Sequence, residues 1–310
     1  MTRRRAGIDV GGTKCLGVVL DEQGLVVAEH RLPTPKSPDG IIDTLAAVAG
    51  ELGEYDTLGL GVPGLITREG SILASPNLTD TNDFRVGPLL SARLGRQVWV
   101  ENDATCATVA EWMVGAAQGV DDFMMVTLGT GIGGGVVAGG RVARGAHGFA
   151  GEIGHMVLDP DGVRCPCGRR GCWERYASGS GLGWLAREAL RDAPLPRVVA
   201  LAGGNPAAVR GEHVQVAAAE GDTGALAVVD IFCRWVALGL ANLTNLLDPA
   251  LFVLGGGLAA APEVFLPAIR SHLDQMLYSG TTVRPQPTIA FAALGPHAGA
   301  VGAALLPQVH

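Results

Sequence analysis

The sequence predicts an α/β fold built from two similar domains, and three observations carry that prediction. A chain of 310 residues has room for two ordinary domains, each burying a core of its own and leaving a cleft between them. One pattern occurs twice, a β-branched strand running into a glycine-rich turn: Ile8-Asp9-Val10-Gly11-Gly12-Thr13 and again Val126-Thr127-Leu128-Gly129-Thr130-Gly131. Around these turns, helical periodicity alternates with short buried strands, as it does in layered α/β folds.

The elements follow in order. Residues 6–10 and 15–20 are apolar runs on either side of Gly11-Gly12-Thr13-Lys14, and 25–32 comes after the turn at 21–24, which makes a β-meander. Residues 41–52 carry a helical pattern. Residues 57–62 read as a buried strand ending at Pro63-Gly64, beyond which a loop holds Asn77. Another strand, 97–100, leads into Glu101-Asn102-Asp103 and an apolar helical stripe through Cys106, Val109, Ala110, Met113 and Val114. The second hairpin pairs 123–128 with 132–138, with 141–143 beyond. From Ser178 the chain reads as mostly helical up to Leu247, where Asp248-Pro249 stops it. Residues 251–254 form a strand opening on Gly255-Gly256-Gly257, and small residues from 298 to 306 make a closing helix.

Composition excludes several classes. With 48% hydrophobic and 17% charged residues, and 46 glycines, the chain is a packed protein with many tight turns, neither disordered nor collagen-like. A net charge of -7 opposes nucleic-acid binding, which needs clustered Lys and Arg. No membrane partner is expected either, because the longest apolar helical stretch, 231–247, is interrupted by Arg234, Asn242 and Asn245. The N-terminus meets Asp9 before an apolar signal segment can form, so a cytoplasmic location is expected.

Glycine-rich hairpin turns present backbone N–H groups in a concave nest that attracts phosphate oxygens, and Thr13, Lys14 and Thr130 add side-chain donors. Gly129-Thr130-Gly131-Ile132-Gly133-Gly134 also matches the dinucleotide pattern G-x-G-x-x-G. That site needs a helix after the loop, whereas residues 135–140 continue as a strand. No G-x-x-x-x-G-K-[ST] stretch exists, which removes the P-loop class. Asp103, at a strand-to-helix junction, is either an N-cap or a general base; Asn102 beside it and the paired phosphate loops favour the base. Asp9 is either a turn residue or a carboxylate holding Mg²⁺ through water.

The stretch from Gly151 to Glu174 gathers His155, Cys165, Cys167 and Cys172, a Cys₃His set suited to a closed tetrahedral Zn²⁺ site. Such a metal has no open position and three thiolates cancelling its charge, so its job is to fix the loop. A disulfide is the rival, and it requires the secretory context that the N-terminus lacks. Glu152 and Glu174 flank the set. With His155 they form a polar group able to hold a polyhydroxylated ligand, the alternative being surface carboxylates paired with Arg169, Arg170 or Arg175. Cys15, Cys106 and Cys233 lie in apolar segments and read as small core residues.

These motifs resemble the ROK family of sugar kinases, most closely its bacterial glucokinases. Asp9-Val10-Gly11-Gly12-Thr13-Lys14 is similar to the family's first phosphate motif, and Glu101-Asn102-Asp103-Ala104 to its catalytic motif. Residues 128–135 are similar to its second phosphate loop, and Gly151-Glu152-Ile153-Gly154-His155 with 165–174 to its zinc and sugar signature. The resemblance implies two actin-like, ribonuclease H-like domains of the ASKHA type, 1–117 plus 296–310 and 118–295, with an interdomain cleft. It implies ATP with Mg²⁺ lying against Asp9, Gly11, Gly12, Thr13, Lys14, Gly129, Thr130, Gly131, Gly256 and Gly257. Asp103 would be the base, and Gly64, Asn77, Asn102, Glu152, His155 and Glu174 would hold the sugar. The implied reaction is phosphorylation of a hexose at its 6-hydroxyl, glucose first, with mannose, allose, fructose or N-acetylmannosamine as alternatives and polyphosphate as a second donor. The family also contains sugar-sensing regulators, so a regulator lacking its DNA-binding domain is a further alternative; regulators carry a helix-turn-helix segment ahead of the sugar domain, and none is expected within residues 1–6. Homodimers or homotetramers are implied as well. The loop 77–84 departs from the family pattern, with Phe84 where many relatives place tryptophan.

Overall fold

Alternating apolar runs around Gly11 and Gly12 form β1 (Arg5–Val10) and β2 (Lys14–Leu20), and β3 (Val26–Pro33) completes the meander. This computed structural model describes residues 4–75, 78, 81–280 and 282–309. Helix α1 (Pro38–Glu51) begins three residues before the expected start, because Ser37 caps it by accepting from Gly40 N and Pro38 occupies its first turn. Then come β4 (Thr57–Val62), the small hairpin β5 (Leu65–Ile66) and β6 (Ile72–Ala74), α2 (Val86–Leu94), β7 (Val98–Asn102) and α3 (Asp103–Val114). The sheet order is β3-β2-β1-β4-β7, antiparallel within the meander and parallel from β1 to β4 to β7.

The second half repeats this plan. β8 (Phe123–Leu128), β9 (Ile132–Ala138) and β10 (Arg141–Val142) are followed by α4 (Glu174–Ala177), α5 (Gly179–Ala189), α6 (Pro196–Leu201), α7 (Gly211–Ala219) and α8 (Thr223–Leu247). β11 (Leu251–Gly256), α9 (Pro262–Met276), β12 (Thr288–Phe291) and α10 (Ala298–Leu305) close the chain. The sheet order β10-β9-β8-β11-β12 has the same third-second-first-fourth-fifth sequence as the first sheet, so the duplicated hairpins extend to a duplicated topology.

The chain divides into two compact units, Met1–Met125 with Gly135–Gly151 and Ala293–His310, and Val126–Gly134 with Glu152–Ala292. Compared with the boundaries expected at 117/118 and 295/296, the first unit also holds 118–125, 135–151 and 293–295. In that unit the small residues of α10 have a clear purpose: a Cβ on Gly59 of β4 would overlap Ala303 O, and one on Gly302 would overlap Cys106 O. The backbone of α10 therefore touches those of both β4 and α3 directly. In the other unit, α8 is long and apolar enough to cross a membrane by length and composition, and 56% of that stretch is buried, with Phe232, Val236 and Leu240 fully enclosed. A core helix passes the same test.

Candidate functional site

In the first unit the site grows from the parallel strands β1, β4 and β7, where Asp9 is in register with Gly61 and Gly61 with Glu101. Asn102 ends β7 and is the N-cap of α3: its Oδ1 accepts from Thr105 N at 3.1 Å. The alternative of Asp103 as the cap is thereby corrected. Asp103 is the first helical residue, its Oδ1 accepting from the adjacent Ala104 N at 2.8 Å, so the carboxylate is not the helix cap. The Asn102 amide also donates to Gly64 O at 3.1 Å, tying the ends of β7 and β4 together. Asn77 lies outside the described residues.

Burial raises the Asp103 carboxyl above its ordinary range, against the N–H groups of Ala104 and of Asp103 itself. Asp9 is pushed up to about 7, first by burial and then by the charge of Asp103, with Lys14 pulling the other way. Two carboxylates in a half-dry site with one lysine form a natural place for a divalent cation, and Asp9 is the residue of this set that would hold one. Nearby, Gly11 N donates to Lys14 O at 2.9 Å and Thr34 Oγ1 donates to Gly11 O at 2.6 Å, which shapes the first glycine turn while Gly12, Thr13 and Lys14 stay exposed.

The second unit holds the other glycine turn and the cysteine loop. Gly129 N donates to Gly131 O at 3.1 Å, and Gly179 N, at the start of α5, donates to Gly129 O at 2.7 Å. Gly256, at φ +85°, lies so close to the backbone of Leu128 and Gly129 that any Cβ would collide with it. Gln215 Nε2 donates to Gly257 O at 3.3 Å. Gly129, Thr130, Gly131, Gly256 and Gly257 thus share one neighbourhood. Gly131 borders the cysteine loop too, since a Cβ there would stand 2.5 Å from Glu174 Oε2.

One ligand atom from each of His155, Cys165, Cys167 and Cys172 lies within 4.8 Å of all the others. Cys167 and Cys172 Sγ are 3.6 Å apart, and Cys165 Sγ is 3.9 Å from His155 Nδ1. A tetrahedral ion with Zn–S bonds of ~2.3 Å needs ligand edges of roughly 3.8 Å, so the cluster is compatible with a structural metal. Burial tends to raise the Cys167 thiol, but the Arg169 backbone N–H and the neighbouring thiols outweigh it and hold it down to about 6; burial raises Cys165 and Cys172. His155 Nδ1 faces Cys165, and Nε2 points toward Glu152 at 4.0 Å. Glu174 Oε1 accepts from the Cys165 thiol at 3.0 Å and lies 3.6 Å from His155 Nδ1. Beneath the loop, fully buried Trp173 donates from Nε1 to Trp235 O at 2.8 Å, and the Tyr176 hydroxyl accepts from Val163 N at 2.9 Å.

Two buried carboxylates were not singled out by the sequence. Glu101 pairs with Arg144 at 2.7 Å. Glu111 accepts from Ala116, Ala293 and Leu294 N at 2.8, 3.1 and 2.9 Å, holding the entry to α10. The sequence signal for Glu111 is faint, a lone acid on an apolar helical face whose partners are distant in the chain.

The fold with this pair of glycine turns defines the ASKHA class of sugar kinases. Within it the chain belongs to the ROK family, whose pattern matches residues 5–309. The chain is 39% identical to the glucokinase of Streptomyces coelicolor over 307 residues, 96% of this chain and 95% of that one. It is 34% identical to the N-acetyl-D-glucosamine kinase of Pectobacterium atrosepticum over 315 residues, 97% of each. Among solved structures, a ROK family glucokinase from Streptomyces griseus in complex with glucose and AMPPNP superposes with a TM-score of 0.87 at 36% identity, covering 98% of both chains.

Proposed function

We propose that this sugar kinase transfers the terminal phosphoryl group of ATP to the 6-hydroxyl of glucose, with Asp103 as general base. The observation that carries the reading is the Asp103 carboxylate, left free of helix capping by Asn102 and made more basic than an ordinary aspartate by burial. As general base it accepts the hydroxyl proton as the sugar oxygen attacks phosphorus and the bond to the ADP oxygen breaks. Gly64, Asn102, Glu152, His155 and Glu174 would hold the sugar hydroxyls. Asn77 belongs to the same proposal. The turns Gly11 to Lys14 and Gly129 to Gly131, with Gly256 and Gly257, would receive the nucleotide phosphates through backbone N–H groups. Bound at Asp9, Mg²⁺ would supply charge neutralisation on the transferring phosphoryl group.

The ion we assign to His155, Cys165, Cys167 and Cys172 is Zn²⁺, on the thiolate-rich donor set and the tetrahedral edges. Its role is to hold His155 and Glu174 in place. We assign one actin-like domain to each unit, a cytoplasmic location, and a homodimer or homotetramer. Glucose is favoured as acceptor by the two Streptomyces glucokinases. The 34% identical N-acetyl-D-glucosamine kinase supports a second reading, in which a 2-acetamido sugar is the acceptor. A coupled ADP-release assay over a hexose panel that includes N-acetylglucosamine and mannose, with ATP and polyphosphate as donors, tests this. The expected outcome is the largest kcat/KM for glucose with ATP, lost in Asp103→Asn; equal rates in that variant would return Asp103 to a purely local role.

A further inference from the structure

Glu101 and Arg144 form a nearly dry ion pair one residue away from the Asn102 cap. Arg144 Nε donates to Glu101 Oε2 at 2.7 Å, and the side chains are only 18% and 5% exposed. The other Glu101 oxygen, Oε1, accepts from Asn102 N at 3.0 Å. Thus one carboxylate bonds the guanidinium on one side and the backbone at the end of β7 on the other. Arg144 sits on a segment that is itself well anchored, with Ala143 N donating to Val136 O at 2.9 Å, Ala150 N to Arg144 O at 3.2 Å, and Arg68 Nη2 to Gly145 O at 2.5 Å. Its Nη2 is buried without a partner among the described residues, so the recorded side-chain hold of this guanidinium is Glu101.

A buried ion pair is a weak stabiliser, because desolvation cancels most of the attraction; what it does provide is a fixed direction. We propose that Arg144 is a positioning residue for phosphoryl transfer: its pair with Glu101 fixes the turn from β7 into α3 and so aims the Asp103 carboxylate. The proposal rests on the reading of Asp103 as the base. Asn102 N is locked by Glu101, Asn102 Oδ1 caps the helix, and Asp103 follows directly, so a rotation of Glu101 is passed to the base through two peptide units. Misplacement of a reacting group by ~1 Å costs on the order of a hundredfold in rate.

Steady-state kinetics of the full chain with glucose and ATP, for Arg144→Met, Glu101→Gln, the double variant and Asp103→Asn, provide the test. Each single substitution is expected to lower kcat by about 10–100-fold with both KM values within about threefold, and the double variant to fall no further than the worse single one. Guanidinium ion added to Arg144→Ala should restore kcat at least about fivefold, which a role confined to stability would not produce. Parent-level kcat in folded Arg144→Met, losses confined to KM, multiplying losses in the double variant, or no rescue would each overturn the proposal. Should Arg144→Met fail to fold, Arg144→Lys takes its place, with a kcat loss of about fivefold or more expected and parent-level kcat overturning the proposal. Inactive Asp103→Asn beside fully active Arg144→Met sinks the positioning role alone, whereas active Asp103→Asn removes the base and this proposal with it.

Discussion

The Asp103 junction and the cysteine loop achieve precision by opposite means. Asp103 begins a 12-residue helix that continues from a strand laddered to β4, and its neighbours are fixed by a cap, an ion pair and an amide tie. Residues 156–173 contain no helix or strand beyond isolated bridges such as Val157 with Cys172, and their side chains converge on one point instead. Backbone ladders need no partner from solution, whereas three thiols and an imidazole bound to each other need an ion to stay put. Chemistry and metal are therefore separable by substitution. Asp103→Asn is isosteric and leaves the ladder intact, so kcat should fall at least about a hundredfold, the scale of general-base catalysis, with Tm unchanged or raised because burial disfavours the charged carboxylate. A calorimetric scan beside the kinetics checks both halves of that statement.

The reverse experiment strikes the other region. Cys167→Ser, or chelation, should remove one tightly held zinc per chain by elemental analysis and raise the KM for glucose by about tenfold, while kcat at saturating sugar stays within about threefold. Metal-free protein with unchanged sugar affinity would break the separation, because the loop would then be holding itself.

Asp9 gives the first region a pH dependence of its own. Its folded value of about 7 lies above that of an unfolded aspartate, so between about pH 4 and about pH 7 the folded state holds the extra proton. Stability from this group therefore rises as pH falls through that window and is lost above it. For ligand-free protein, the stability of the parent relative to Asp9→Asn should increase by roughly 2–3 kcal/mol from pH 8 to pH 5, at about 1.4 kcal/mol per pH unit below the raised value. Urea titrations at the two pH values read this directly, and a parallel pair of curves would reject the raised value.

Much of this was legible in the sequence where signals are local. Both glycine turns declare themselves because β-branched runs flank them, and the metal ligands because Pro and Gly separate three cysteines within eight residues, Cys165 to Cys172. The start of α1 was missed because Ser37-Pro38 signals a cap before the apolar stripe begins. Choosing between Asn102 and Asp103 as cap requires dihedral angles, since both residues cap well. Glu101 with Arg144 and Glu111 with Leu294 are separated by 43 and 183 residues, and no pattern in one sequence pairs charges at such distances. Composition hides the site for a related reason: the residues that aim the base look like ordinary surface charges until burial is known.

The smallest expected effect isolates the Asn102 tie. Its amide has two jobs, with Oδ1 capping α3 and Nδ2 donating to Gly64 O. Serine is a comparable N-cap but too short to reach Gly64, so Asn102→Ser keeps the first job and deletes the second. Stability should change by less than about 1 kcal/mol, as for a single neutral hydrogen bond. Gly64, at φ +113°, is packed against Ala74 O and Ser75 and cannot drift far, so the end of β4 loosens without unfolding. If Gly64 and the Asn102 amide hold sugar hydroxyls, the KM for glucose rises a few-fold while kcat is kept, because Asp103 still starts a capped helix. A fall in kcat at constant KM would instead mean that the tie aims the base, and that the strand ends of β4 and β7 act as one catalytic platform.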